Sequence, residues 1–550
     1  MRRILHPARH AGLLFALALT APGSSAQTVD ARLVPRGLLR IGFSADYTNY
    51  DRRFARNSPT VPDGHPELLG TDFTSDSAGS IMFPAIRRSE QAIGAIIGDS
   101  TYRINLGAFR TTLDADIRRF PLDLALGLTD RITLTAHVPL VTHRMQVDFQ
   151  VDSTGANVGW NQAMGQLADA GNASAIATFL MELATAIDDV DQQIAAGGFG
   201  CPGSAQCLAA QAALARARAL DANLRILNGE GADAGVPSFA PLVGSAAGAA
   251  VSAEIAAVIT ELQSFGASPV TSTFALPATR LGADDMNRLL SEPGLGYDAL
   301  PLAFERATRL GDVQLGLRVG LIQTPRVRAV LTGAVTLPTG KTDRPDHFAD
   351  LGTGDRQTDV TGGFEAAFEP ARGLGIAFGG WYTVQLADDL VRRVGPPDSP
   401  ILPAFSETLV HRDLGNVVRL AAYPVLHLTE AFSVFGTFDY YRKAADRYTS
   451  AVGTQPGSPG TQVDLFPVSS LGRESRMEAM SFGGGIRYAT TLVDGRMPIE
   501  AGLRYRSAFS GSGGLTPKAN RLTIHLRLFY NVFRPVPDTV APPPPPEPTR

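Results

Sequence analysis

From Leu38 onward, apolar and polar residues change places at every second position. Leu39, Ile41, Phe43, Ala45 and Tyr47 fall on one face of an extended chain; Arg40, Ser44, Asp46 and Thr48 fall on the other. Ile132, Leu134, Ala136, Val138 and Leu140 alternate in the same way with Thr133, Thr135 and His137. Near the end, Leu522, Ile524, Leu526, Leu528 and Tyr530 alternate with Thr523, His525, Arg527 and Asn531. Strands are expected near 38–50, 110–128, 131–142, 311–322, 326–337, 358–369, 374–386, 413–423, 431–442, 477–490, 496–509 and 520–533. The connections alternate in length. Short ones fall at Thr129-Asp130-Arg131, Gln323-Thr324-Pro325, Pro370 to Gly373, Pro424 to Glu430 and Val493-Asp494-Gly495; long ones cover roughly 141–310, 338–357, 387–413, 445–476 and 510–519. Tight turns at one end and long loops at the other imply an all-β transmembrane barrel of about 12 antiparallel strands.

One strand changes phase. Leu113, Ala115 and Ile117 are odd-numbered, whereas Leu122, Leu124, Leu126 and Leu128 are even. A β-bulge between Arg118 and Pro121, or a split into two strands, would restore the facing. Tyr47, Tyr382, Tyr440 and Tyr505 stand where one aromatic girdle is expected, and Phe368, Tyr488 and Tyr530 where the other is.

The period becomes helical within 156–275. Ile176, Phe179, Leu180, Leu183, Ile187, Val190 and Ile194 follow helical spacing, predicting an amphipathic helix over 173–196. Ser204 is placed to cap a second helix over 205–228, and Val251, Ile255, Val258, Leu262 and Phe265 mark a third. Counting strands puts this α-helical insertion in the second external loop. Cys201 and Cys207, the only cysteines, fall in the turn between the first two helices, where a disulfide would staple the hairpin.

The N-terminus carries Arg2, Arg3 and Arg9, a short apolar run from Leu13 to Leu19, and Ser24-Ser25-Ala26. That is a secretory signal peptide over 1–26. The division that follows is 27–155 for the first part of the barrel, 156–275 for the external helical insert, 276–533 for the rest of the barrel, and 534–550 for a proline-rich periplasmic tail. The 44% hydrophobic content suits strands that never form a long apolar run. A net charge of −4 gives no reason to expect a nucleic-acid partner.

Enzyme chemistry finds little support. Thr339-Gly340-Lys341-Thr342 resembles the end of a phosphate-binding loop, but Val335 stands where the first glycine belongs. The nine histidines form no metal-spaced pair on a helix, and no His-x-Ser spacing suggests a barrel lipase. No cofactor or metal is expected. The alternation instead turns Arg40, Asp46, Asp114, Asp116, Asp123, Arg318, Arg328, Glu365, Arg419, Asp439, Arg487, Glu500, Arg504, Arg506 and Arg527 into the lumen. Buried charges must be paired. A salt-bridged plug is therefore the preferred reading of these residues, with a selectivity filter as the alternative. Barrel closure would bring the basic last strands near the acidic second one.

Three stretches resemble the outer-membrane transporters of phenol and aromatic degradation, the MetA-pathway type, loosely similar to FadL-like channels. They are Gly127-Leu128-Thr129-Asp130-Arg131 with Val138-Pro139-Leu140, then Leu310-Gly311-Asp312-Val313, and Leu337-Pro338-Thr339-Gly340 continuing through Leu351-Gly352-Thr353-Gly354 to Asp359-Val360. The resemblance implies a bacterial outer-membrane location, lipid as the surrounding partner, and uptake of small hydrophobic or aromatic molecules. The helical insert has no counterpart in that pattern. The other reading is a structural or surface-interaction barrel whose insert binds a partner.

Overall fold

The computed structural model describes residues 31–54, 64–160, 170–230, 239–293, 295–396, 399–450, 467–490 and 498–533. The expected signal peptide, the turn at Val493-Asp494-Gly495 and the 534–550 tail lie outside the described residues.

The alternating segments form β1 (Leu38–Tyr50), β2 (Ala108–Thr129), β3 (Ile132–Asp152), β4 (Val313–Gln323), β5 (Val327–Leu337) and β6 (Asp359–Ala371). The second half supplies β7 (Leu374–Gln385), β8 (Val417–His427), β9 (Phe432–Lys443), β10 (Met477–Ala489), β11 (Ile499–Ser512) and β12 (Asn520–Asn531). Each pairs antiparallel with the next, and β12 returns to β1 with Leu39 opposite Tyr530 and Tyr47 opposite Leu522. The sheet is therefore a closed 12-strand barrel, and closure gives every wall strand a partner on both sides within the ring. Glu305–Leu310 pairs with β3 above the point where β4 leaves it, so it continues β4 across a break at Gly311-Asp312.

The outer wall is apolar. Phe43, Leu134, Leu317, Leu331, Phe364, Phe378, Leu420, Phe438, Ile486, Leu503 and Ile524 all expose large side chains around the ring. Tyr47, Tyr382 and Tyr505 stand at the loop end and Phe368, Tyr488 and Tyr530 at the turn end, all exposed; Tyr440 is half-buried and its hydroxyl meets Glu478.

β2 carries no bulge at 118–121. Asp46 pairs with Arg119 and Phe43 with Leu122 in one unbroken register. Pro121 stands opposite Pro139, so the two missing N–H groups fall together. The reversal of pattern has another cause. The β2–β3 hairpin rises well beyond its neighbours, and there the interior is dry: Leu113, Ala115 and Ile117 face inward into a hydrophobic core.

That core belongs to a cap. Its helices are α1 (Arg87–Ile96) in the loop between β1 and β2, and α2 (Ala170–Ala195), α3 (Ala205–Leu227), α4 (Ala246–Ser264) and α5 (Ala283–Ser291) in the loop between β3 and β4. α2 buries Ile176, Phe179, Leu180, Leu183, Ile187 and Val190; α3 adds Ala210, Ala217, Leu220 and Leu224; α4 adds Val251, Val258 and Leu262. Ser204 caps α3 by accepting the Cys207 N–H, and Cys201 is bonded to Cys207. Arg216 of α3 pairs with Glu254 and Glu261 of α4. The helices do not pack as an independent bundle. Their core runs on into Tyr50, Phe109, Leu113, Ile117, Val141 and Met145 of the barrel wall. The remaining long loops add a small sheet of Asp388–Arg393, Glu407–Asp413 and Arg447–Ser450.

Candidate functional site: the barrel lumen

The turn end of the lumen is filled by the chain's own N-terminal segment. Residues 31–36 run into the barrel ahead of β1. Val34 donates its N–H to Thr133 Oγ1 (3.1 Å), Gly37 to the Gly127 carbonyl (2.8 Å), and the Arg32 and Ala31 carbonyls accept from Arg318 and Gln323. Ala31 and Val34 are buried. Gly127 is required for this approach, because a Cβ there would stand 2.1 Å from the Pro35 carbonyl oxygen. Small inward residues, Ala367, Ala377 and Ala421, leave room for Ala31 against Tyr423 and Phe435.

Above this segment the interior is ionic. Arg318 bonds Glu365 (2.7 Å); Asp439 accepts a hydrogen bond from Arg419 (2.9 Å) and forms an ion pair with Arg506 (2.9 Å). Across the closing seam, Arg521 of β12 bonds Asp46 of β1 (2.8 Å), and Thr523 bonds the other carboxylate oxygen. Glu500 holds Arg527 (3.0 Å) and stands 3.4 Å from His525; Arg504 reaches the Tyr423 hydroxyl (3.4 Å). Asp123 meets His137 at 2.7 Å. Arg40 and Arg487 are buried inward, while Arg328 pairs with Glu369 near the turn end. Trp381 projects into the same space under the Arg419 guanidinium, 5.4 Å from its ring centre. Gly363 and Gly379 are what admit the indole, since a Cβ on either would meet it at 2.2–2.3 Å.

Two of the residues expected to line the lumen do not. Asp114 and Asp116 stand on the outer surface of β2, where Asn49 donates to both (3.1 Å) and the Tyr47 hydroxyl bonds Asp116 (2.8 Å). At that height the wall has left the apolar belt, so its polar face turns outward to water and its apolar face inward to the cap. The acidic second strand therefore does not pair with the basic last strands; Asp46 takes that place. Arg521 was missed by sequence reasoning, although its position on the polar face of β12, two residues before Thr523, carried the signal.

Two of the three stretches singled out for their resemblance, with Pro139 of the first, come together at the break in β4, where the Pro139 carbonyl accepts the Gly311 N–H (2.8 Å). Asp312 accepts the Gly340 N–H (2.7 Å) and the Asp355 N–H (3.0 Å), Thr339 bonds the Gly311 carbonyl, and Thr353 bonds the Leu310 carbonyl. Above them, burial pushes the Asp343 carboxyl up from the ordinary carboxylate range against the pull of Arg392, which bonds it at 2.7 Å.

No family model matches the chain, and no curated protein does. Among solved structures, the chain is similar to the COG4313 outer membrane channel from Pseudomonas putida F1, with 10% identity, a TM-score of 0.41, and coverage of 92% of this chain and 100% of that one. The Ralstonia pickettii toluene transporter TbuX gives 9% identity, a TM-score of 0.26, and coverage of 91% and 90%. The translocator domain of the Neisseria meningitidis autotransporter NalP gives 6% identity, a TM-score of 0.30, and coverage of 91% and 90%.

Proposed function

We propose that the chain is a bacterial outer-membrane barrel for uptake of small hydrophobic or aromatic molecules, held here in a closed state. The belt of exposed apolar side chains supports the location, because soluble proteins do not expose a continuous apolar ring of this extent. The observation that carries uptake is the lining of the outer half. Phe109, Leu113, Ile117, Val141 and Met145 turn apolar side chains from the barrel wall into the core shared with the cap, so a path opened between cap and wall would be lined by apolar groups. The resemblance carried by the stretches around Gly127 and Leu337 implies the same substrate class, and TbuX is itself named as a toluene transporter. The N-terminal segment and the ion pairs then form the inner gate. The test is uptake of a labelled monoaromatic compound by cells carrying the protein, with and without residues 31–34. Uptake faster than in empty cells, and faster again after the deletion, is expected. Equal rates in all three would reject the reading. The sealed lumen favours a second reading, a membrane anchor for the cap, and that outcome would select it.

A further inference from the structure

Beneath the cap lies a cluster that the uptake reading does not use. His143 sits on the inward face of β3, between the buried Val141 and Met145. Glu305 begins the segment paired with β3 and stands opposite Met145, so it shares that face. His347 and Asp350 arrive from the loop between β5 and β6, which Phe348, Ala349 and Leu351 anchor in the hydrophobic core. A turn links the two, with the Asp350 N–H donated to the His347 carbonyl. One Asp350 oxygen is fixed by the Arg344 N–H (3.0 Å); the other stands 3.5 Å from His143 Nε2.

The cluster is buried and unsatisfied. His143 is 1% exposed, His347 3% and Asp350 6%. Among the described residues neither ring nitrogen of His143 has a hydrogen-bond partner, and His347 Nδ1 and Glu305 Oε2 form an ion pair at 2.5 Å without a well-directed hydrogen bond. Buried polar atoms are nearly always paired, so a buried histidine with both ring nitrogens unbonded, beside a close His347–Glu305 ion pair, calls for a further partner. Ligand atoms of His143, Glu305 and Asp350 already lie within 4.8 Å of one another.

We propose that His143, Glu305 and Asp350, with His347 as a fourth donor, form a binding site for a divalent transition cation of the zinc class. Imidazole and carboxylate donors together suit such ions, whereas Ca²⁺ and Mg²⁺ favour oxygen-only sets. Arg309, opposite Val141 on the neighbouring segment, adds a positive charge nearby. An ion held there depends on nitrogen coordination more than on a negative field, which again selects against Ca²⁺. The bound ion would fasten three pieces together: the barrel wall, the continuation of β4, and the loop beneath the cap. The site stands independently of the uptake reading.

The test uses untagged full-length protein in detergent, stripped with chelator and dialysed. Zn²⁺ titration should show one ion per chain at micromolar affinity or tighter, and Co²⁺ should give a tetrahedral visible band that Zn²⁺ displaces. His143→Gln and Asp350→Asn should each weaken binding by more than about tenfold, the loss that even outer-shell changes cause. His411→Ala, which removes an exposed histidine paired with Asp389, should leave binding unchanged. Heat-modifiable gel migration shows which variants are folded. Absence of stoichiometric binding to the wild type, or unchanged binding in either folded variant, overturns the site. Should both variants fail to fold, the wild type decides: Zn²⁺ must raise its heat-dissociation midpoint, and no shift overturns the proposal.

Discussion

At the residue scale, Asp439 bears the most. It is one carboxylate between two guanidinium groups, Arg419 and Arg506, with all three side chains four-fifths or more buried. Removing one partner from a buried ionic group leaves the others uncompensated, at a cost of about 3–5 kcal/mol. Asp439→Asn should therefore lower the temperature at which the folded band converts to the unfolded one on a gel. Leu526 offers the contrast: it is exposed on the outer wall, and Leu526→Ala should shift that temperature far less. The alternation made most of these inward charges legible, because a period of two fixes facing wherever the wall has lipid on one side. It misplaced Asp114 and Asp116 because it assumed that lipid continues to the top of β2. Which surroundings a strand meets at each height depends on the lengths of its neighbours, and that is not written in the strand itself.

At the element scale, the helical spacing in 173–196 and 205–228 anticipated α2 and α3 closely, and Ser204 caps α3 as its position suggested. α1 was not anticipated, although Ala92, Ile93 and Ile96 recur at helical spacing on its buried face. Its ten residues include Arg87, Arg88 and Glu90, and it is held by long-range partners; Glu90, for one, accepts the Ile104 N–H (2.9 Å). A short helix specified by tertiary contacts is hard to read from period alone. Phe179 sits fully buried on α2, edge-on to Phe274. Phe179→Ala should cost the cap about 3–5 kcal/mol through the cavity it leaves. Limited proteolysis should then cut within α2 to α4, while heat-modifiable migration of the barrel persists; loss of both together would show that cap and barrel unfold as one unit.

At the scale of the whole molecule, the shared core makes the cap more than an appendage. Excising 160–270 would strip α2, α3 and α4 from the core they share with Phe109, Leu113, Ile117, Val141 and Met145. The transmembrane ring should still close, because its ladder does not pass through the insert. Hydrogen exchange should nevertheless accelerate in 110–114 and 146–152, where the hairpin rises past its strand partners β1 and Glu305–Leu310. Unchanged exchange there would mean that the hairpin is self-supporting.

The seam between β1 and β12 also sets an order of events. Arg521 meets Asp46 across a sequence separation of 475 residues. Nothing nearer in the chain can cover the free edge of β1, so the ring stays open until the last strand has been made and delivered. The long intervening chain is itself a small obstacle, since each doubling of loop length costs only about 0.6 kcal/mol. The hazard is the waiting time, during which an exposed strand edge invites pairing with other chains. A protein truncated after Gly513 should accordingly accumulate as aggregate or be degraded, and should never yield the compact gel species, however intact its first eleven strands.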